Sequence, residues 1–131
     1  MFDLKSRLLI VDDMLTMRKI VIKTCKEIGF TDFTEAADGK LAWELLNKSS
    51  PPIDLIISDW NMPNCTGLEF WKMLQKEPKY SKIPFVLLTA EAEAGQVLEA
   101  FQAGVTNYVV KPFTTQALNE KLEAAHKKLS K

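Results

Sequence analysis

Three carboxylates, one hydroxyl and one ammonium stand at matching points of this sequence. Asp12 and Asp13 begin after the apolar run 8–11, Asp59 follows the run 55–58, Thr89 follows 85–88 and Lys111 follows 108–110. Crowded carboxylates repel, and one of them takes up a proton unless cations compensate. Lys111 supplies one positive charge. A hard divalent cation would supply the rest, and Mg²⁺ binds through one or two carboxylates while keeping waters and phosphate oxygens around it. The chemistry this set points to is Mg²⁺-assisted phosphoryl transfer, with a carboxylate as the nucleophile and an aspartyl-phosphate as the product. The metal, Lys111 and Thr89 would then neutralise or hydrogen-bond the phosphoryl oxygens.

Each residue also has a plainer role. Asp12 or Asp13 would serve as the cap of a following helix, and Asp59 as the start of an Asx-turn ahead of Met62-Pro63. Thr89 would be a helix N-cap and Lys111 a solvated lysine at a strand end. Lys111-Pro112 would be an ordinary trans bond, as most X–Pro bonds are. Four strand ends carrying complementary groups are nevertheless hard to explain by capping alone.

The elements that must position these groups follow from hydrophobic periodicity. The runs 8–11, 33–36, 55–58, 85–88 and 108–110 read as strands. Most are apolar nearly throughout, which suits strands covered on both faces, whereas Phe33-Thr34-Glu35-Ala36 is more polar and suits a sheet edge. Between them the period becomes helical. Met17, Ile20, Val21, Thr24, Cys25 and Ile28 form a first stripe, which Gly29 closes as a C-terminal cap. Leu41, Leu45 and Leu46 form a second, ended by Ser49-Ser50-Pro51-Pro52. Leu68, Trp71 and Leu74 form a third, and Ala94, Val97, Leu98 and Phe101 a fourth that Gly104 stops. Leu118, Leu122, Ala125 and Leu129 form the last, with His126, Lys127 and Lys128 suiting its negative end. Alternating strands and helices predict an α/β fold, a doubly wound parallel sheet of five strands flanked by five helices. Such sheets bind ligands beyond the carboxyl ends of their strands, where the acids, Thr89 and Lys111 fall.

On these residues the chain resembles the receiver domain of bacterial two-component response regulators, from about Leu8 to Leu129. Asp12-Asp13, Asp59, Thr89 and Lys111-Pro112-Phe113 match that family in identity and order. The segments Asp59-Trp60-Asn61-Met62-Pro63-Asn64, Thr89-Ala90-Glu91-Ala92, Gln102-Ala103-Gly104 and 108–114 are similar to its members that act in chemotaxis. The resemblance brings the strand order 2-1-3-4-5, which periodicity alone does not give. It implies that Asp59 accepts a phosphoryl group from a histidine kinase, and that Asp13, Asp59 and the carbonyl of Asn61 hold Mg²⁺ with Asp12 assisting through water. Trp60, Asn61, Thr89, Ala90 and Lys111 would surround the phosphoryl group, and the Lys111-Pro112 bond would be cis. Thr89 and Tyr108 would form a coupled switch. Val97, Tyr108 and Lys121 would lie on the surface of the fourth helix, fifth strand and fifth helix that meets a partner. That partner would be the flagellar motor switch or another output protein, and a phosphatase would reset the signal. Alternatives are a stand-alone receiver in a different pathway, or a phosphate shuttle.

Some positions depart from the family pattern. Thr66 stands where many receivers have Asp before the glycine, here Gly67, and is expected only to shape the turn. Met14 replaces a bulkier or acidic residue beside the metal. Glu93, Ala94 and Phe101 alter the fourth helix, near the output surface. Two rival functions fit less well. In a Mg²⁺-dependent phosphatase with an aspartate nucleophile, a second Asp protonates the leaving group, but the corresponding residue here is Asn61. A flavin site would place a phosphate against Asp12-Asp13, whose charge would repel it.

With 131 residues the chain is expected to be one domain, residues 1–131, with no output domain, burying roughly two-thirds of its unfolded surface. Lys and Arg balance Asp and Glu at 17 each, which removes the usual electrostatic basis for nucleic-acid binding. No apolar run suits a membrane helix and no secretory signal is visible, so a cytoplasmic monomer is expected. Cys25 and Cys65 lack metal spacing and read as reduced thiols. Trp43 and Trp71 read as packing groups, Trp60 as a reporter beside Asp59, and His126 as a solvated helix-end residue.

Overall fold

β-branched and aliphatic side chains crowd the middle strands because each must cover two faces at once. A computed structural model describes residues 2–48, 52–62, 65–90 and 94–129, apart from the side chains of Ala90, Ala94, Gln96, Val97, Ala100 and Leu129. The elements alternate without exception among these residues: β1 (Arg7–Val11), α1 (Leu15–Ile28), β2 (Asp32–Ala36), α2 (Gly39–Lys48), β3 (Leu55–Asp59), α3 (Gly67–Gln75), β4 (Phe85–Ala90), α4 (Ala94–Ala103), β5 (Asn107–Lys111) and α5 (Thr115–Leu129). All strand pairs are parallel and the sheet order is β2-β1-β3-β4-β5. The five strands and the order expected from the resemblance are both present. The polar β2 is at an edge, and the central β3 is buried along its whole length.

Strand alternation divides the interior into two cores. Leu9, Val11, Ile56, Phe85 and Leu87 face one way, packing with Ala42 and Leu46 of α2 and with Leu68, Phe70 and Leu74 of α3. Leu8, Ile10, Leu55, Ile57, Val86 and Leu88 face the other way, against Val21 and Cys25 of α1 and Leu118 and Leu122 of α5. Fully burying one such side chain contributes about 1.5–3 kcal/mol relative to leaving it exposed. Gly29 closes α1 as expected, at a φ of 127°, and its N–H donates to the carbonyls of Cys25 and Lys26.

Several helix positions differ from the periodic reading. Val21, Thr24 and Cys25 are buried on α1, but Ile20 is 46% exposed and Leu41 of α2 is exposed too. On α4, Leu98 and Phe101 face solvent, Phe101 at 73% exposure. Ala103 packs against the core instead, so the inward contact at this end of α4 is made by a small side chain. Gly104 follows as expected, with a φ of 93°. His126 is half-buried and so only partly solvated, with its ring edge-on to Phe2 at 5.0 Å between centroids. Trp43 and Trp71 pack on the core, Trp43 edge-on to Tyr80. Among the described residues no helix is long and apolar enough to cross a membrane.

Candidate phosphoryl-transfer site

Parallel strands all end at one edge, so the residues that terminate β1, β3, β4 and β5 meet there. Asp12 follows β1 directly. Its N–H donates to the carbonyl of Ala36 on β2 (3.1 Å), and its Oδ1 accepts from the N–H of Met14 (2.9 Å). The plainer role considered for it, a cap, is therefore partly filled: one oxygen holds the turn into α1, whose N-cap residue is Met14. Asp59 ends β3 and is 6% exposed, while Asp13 is open to solvent. A ligand oxygen from each of Asp12, Asp13 and Asp59 lies within 4.8 Å of the other two. Lys111, ending β5, places its Nζ 2.7 Å from Asp59 Oδ1 and 3.8 Å from Asp12 Oδ2. Thr89 on β4 is 1% exposed and neighbours Leu88, which pairs in register with Asp59. The Lys111-Pro112 bond is cis.

The loop after Asp59 is shaped by close contact. Trp60 is buried, and its N–H donates to the carbonyl of Leu88 at 2.9 Å. The N–H of Gly67 then donates to the carbonyl of Trp60 at 2.9 Å, drawing the start of α3 against the strand end. A Cβ at position 67 would collide with the carbonyl oxygen of Asp59 and the side chain of Leu87, so only glycine fits here. Thr66 does more than shape the turn. Its hydroxyl accepts from the N–H of Glu69 (3.1 Å) while the Glu69 carboxylate accepts from the N–H of Thr66 (2.9 Å), a capping box. The Thr-x-x-Glu spacing signalled this in the sequence.

The acids are poorly compensated by the protein alone. Burial pushes the Asp12 carboxyl up to about 6; the Met14 N–H and Lys111 oppose this, and Asp59 and Asp13 add to it. Burial also raises Asp59, against the pull of Lys111. Asp12 Oδ2 is buried without a hydrogen-bond partner among the described residues. An orphaned carboxylate oxygen, beside two further oxygen donors and one shared ammonium, fits a hard divalent cation.

The other expected site residues are less concentrated. Asn61 is exposed in the loop after Trp60. Ala90 pairs with Lys111 across β4 and β5. Tyr108 is half-buried on β5, and Lys121 of α5 sets its Nζ 4.4 Å from the Tyr108 ring centroid. The side chains of Ala90 and Val97, and the residues Pro63, Asn64, Glu91, Ala92 and Glu93, lie outside the described residues. Sequence reading missed Arg18 and Glu35. Arg18 donates to the carbonyl of Asp12 at 2.7 Å and pairs with Glu35 at 3.1 Å, a meeting that depends on strand register and leaves no mark in linear spacing.

An acid cluster and lysine at the carboxyl edge of a 2-1-3-4-5 sheet define a receiver. The chain belongs to the response regulator receiver domain family, whose model matches residues 8–123. It is 46% identical over 117 residues to a chemotaxis protein CheY homolog of Campylobacter jejuni, covering 89% of each chain. It is 43% identical to chemotaxis protein CheY1 of Helicobacter pylori, over 89% of this chain and 94% of that one. The solved structure of chemotaxis response regulator CheY4 of Vibrio cholerae superposes with a TM-score of 0.80, at 34% identity, covering 92% of this chain and 98% of that one. Receiver domains of this CheY type are signalling modules, not classical enzymes, and are generally Mg²⁺-dependent.

Proposed function

We propose that this chain is a chemotaxis response regulator that carries its signal as a phosphoryl group on Asp59 and delivers it by docking to another protein. The observation that carries the reading is the meeting of Asp12, Asp13 and Asp59 within 4.8 Å, with the Lys111 ammonium 2.7 Å from Asp59. A carboxylate oxygen of Asp59 attacks the phosphorus of a phosphohistidine on the kinase. The phosphorus–nitrogen bond breaks, the imidazole leaves, and an acyl phosphate remains on Asp59. Lys111 shifts from the carboxylate to a phosphoryl oxygen and stabilises its charge. Asp13, Asp59 and the main-chain carbonyl of Asn61 would hold Mg²⁺, with Asp12 reaching it through water. The bound ion would supply charge neutralisation of the phosphoryl oxygens.

Thr89 donates its hydroxyl to the phosphoryl group, and Tyr108 turns inward as Thr89 moves. The changed surface includes Val97, Tyr108 and Lys121 and meets the flagellar motor switch; a phosphatase partner ends the signal. The names of the relatives, matched over most of their own lengths, support the chemotaxis role. A cytoplasmic location fits a phosphodonor kinase that acts there.

The test is the intact mass after incubation with acetyl phosphate, with and without Mg²⁺, for wild type and Asp59→Asn. One hydroxylamine-labile phosphoryl addition is expected, only in wild type and only with Mg²⁺. Equal addition to Asp59→Asn would remove Asp59 from its role.

A further inference from the structure

We propose that Arg18 is a positioning residue for the cation-binding acids, acting through the main chain of Asp12. This rests on the reading of Asp12, Asp13 and Asp59 as a Mg²⁺ site. Arg18 lies in the first turn of α1, yet its side chain is only 15% exposed. Its Nη1 donates to the carbonyl oxygen of Asp12 at 2.7 Å, and its Nε donates to Glu35 Oε1 at 3.1 Å. Glu35 stands on β2 opposite Ile10 of β1, next to Ala36, whose carbonyl accepts from the Asp12 N–H.

Both peptide groups flanking the Asp12 Cα are thereby fixed, one by β2 and the other by Arg18. The Met14 N–H holds Oδ1, which leaves Oδ2 without a hydrogen bond among the described residues and facing the Lys111 ammonium at 3.8 Å. The carbonyl that Arg18 grips also belongs to the peptide leading into Asp13, so one guanidinium sets the direction of two acids. Glu35 balances the guanidinium charge, so the grip adds little field that would repel a cation. Groups one step removed from a metal, which orient its ligands, affect affinity by about 10–100-fold.

Charge and position make opposite predictions. Removing a cation beside a Mg²⁺ site should tighten binding by electrostatics alone, whereas removing a positioning group should weaken it. The experiment is a MgCl₂ titration of the folded protein, followed through the amide resonances of Asp13 and Asn61, with melting in EDTA as the folding control. For Arg18→Met we expect Mg²⁺ affinity to fall about 10-fold or more. Arg18→Lys should not restore it, because one ammonium cannot bridge Asp12 and Glu35 as the planar fork does. Glu35→Gln should weaken Mg²⁺ binding severalfold and add nothing to Arg18→Met. Unchanged or tighter binding by Arg18→Met overturns the proposal, as does full rescue by Arg18→Lys. If Arg18→Met does not fold, Glu35→Gln decides, and its wild-type affinity would overturn the proposal. A wild-type protein whose resonances do not respond to MgCl₂ would instead refute the metal reading, and the role of Arg18 with it.

Discussion

The carboxyls of Asp12 and Asp59 are both raised by burial, and Lys111 is shared between them. A consequence follows for stability. Asp12 has a folded value of about 6 against an ordinary 3.8, so between these values the folded protein keeps a proton that the unfolded chain has lost. Stability from this group is complete below about 3.8 and falls as pH rises through about 6. In EDTA, urea unfolding should show a loss on the order of 2–3 kcal/mol across that window, each unit of pKa being worth about 1.4 kcal/mol. MgCl₂ should offset the loss above pH 6, because the cation favours the ionised carboxylates. A protein that gains stability from pH 4 to 6 in EDTA would contradict this account of Asp12. The residues concerned were legible in the sequence because a strand's last position is fixed by where its apolar run stops. Arg18 and Glu35 were not, since their meeting requires β1 and β2 to be aligned first.

Among the elements, α4 separates what periodicity can and cannot reveal. Ala94, Val97, Leu98 and Phe101 read as one buried stripe, yet Leu98 and Phe101 face solvent while Ala103 packs inward. Apolar periodicity locates a helix, but the side it turns to the sheet depends on how closely the backbone approaches. Leu98→Ala and Phe101→Ala should each change stability by less than about 0.5 kcal/mol, as substitutions at exposed sites usually do. A loss of several kcal/mol in chemical unfolding would mean that these side chains are covered in solution. By contrast, the Gly29 cap and the five strands were readable because each rests on local chemistry: a positive φ in one case, runs of sheet-forming residues in the other. The capping box at Thr66 was equally local, although the sequence reading assigned that residue only to the turn.

At the scale of the molecule, the sheet separates two cores that share no side chain among the described residues, and the strands themselves are the wall between them. Phe85 of β4 is fully buried in the α2–α3 core and packs on Phe70 with centroids 5.8 Å apart. Phe85→Ala should lower unfolding stability by about 3–5 kcal/mol. A drop below about 1 kcal/mol would show that the core closes around the gap. The doubly wound class was legible at this scale because alternation of two periods leaves few topologies. The strand order itself came through the family resemblance.

The single shared ammonium has a thermodynamic corollary. On the proposed reading, phosphorylation replaces one negative charge on Asp59 with two while Lys111 remains the compensating cation, so the pocket grows more negative and draws Mg²⁺ more strongly. Linkage is reciprocal: whatever factor the phosphoryl group adds to the affinity for Mg²⁺, Mg²⁺ returns to the phosphorylated state. Cation concentration and phosphoryl occupancy are then two handles on one equilibrium, and a change in either is felt by the other.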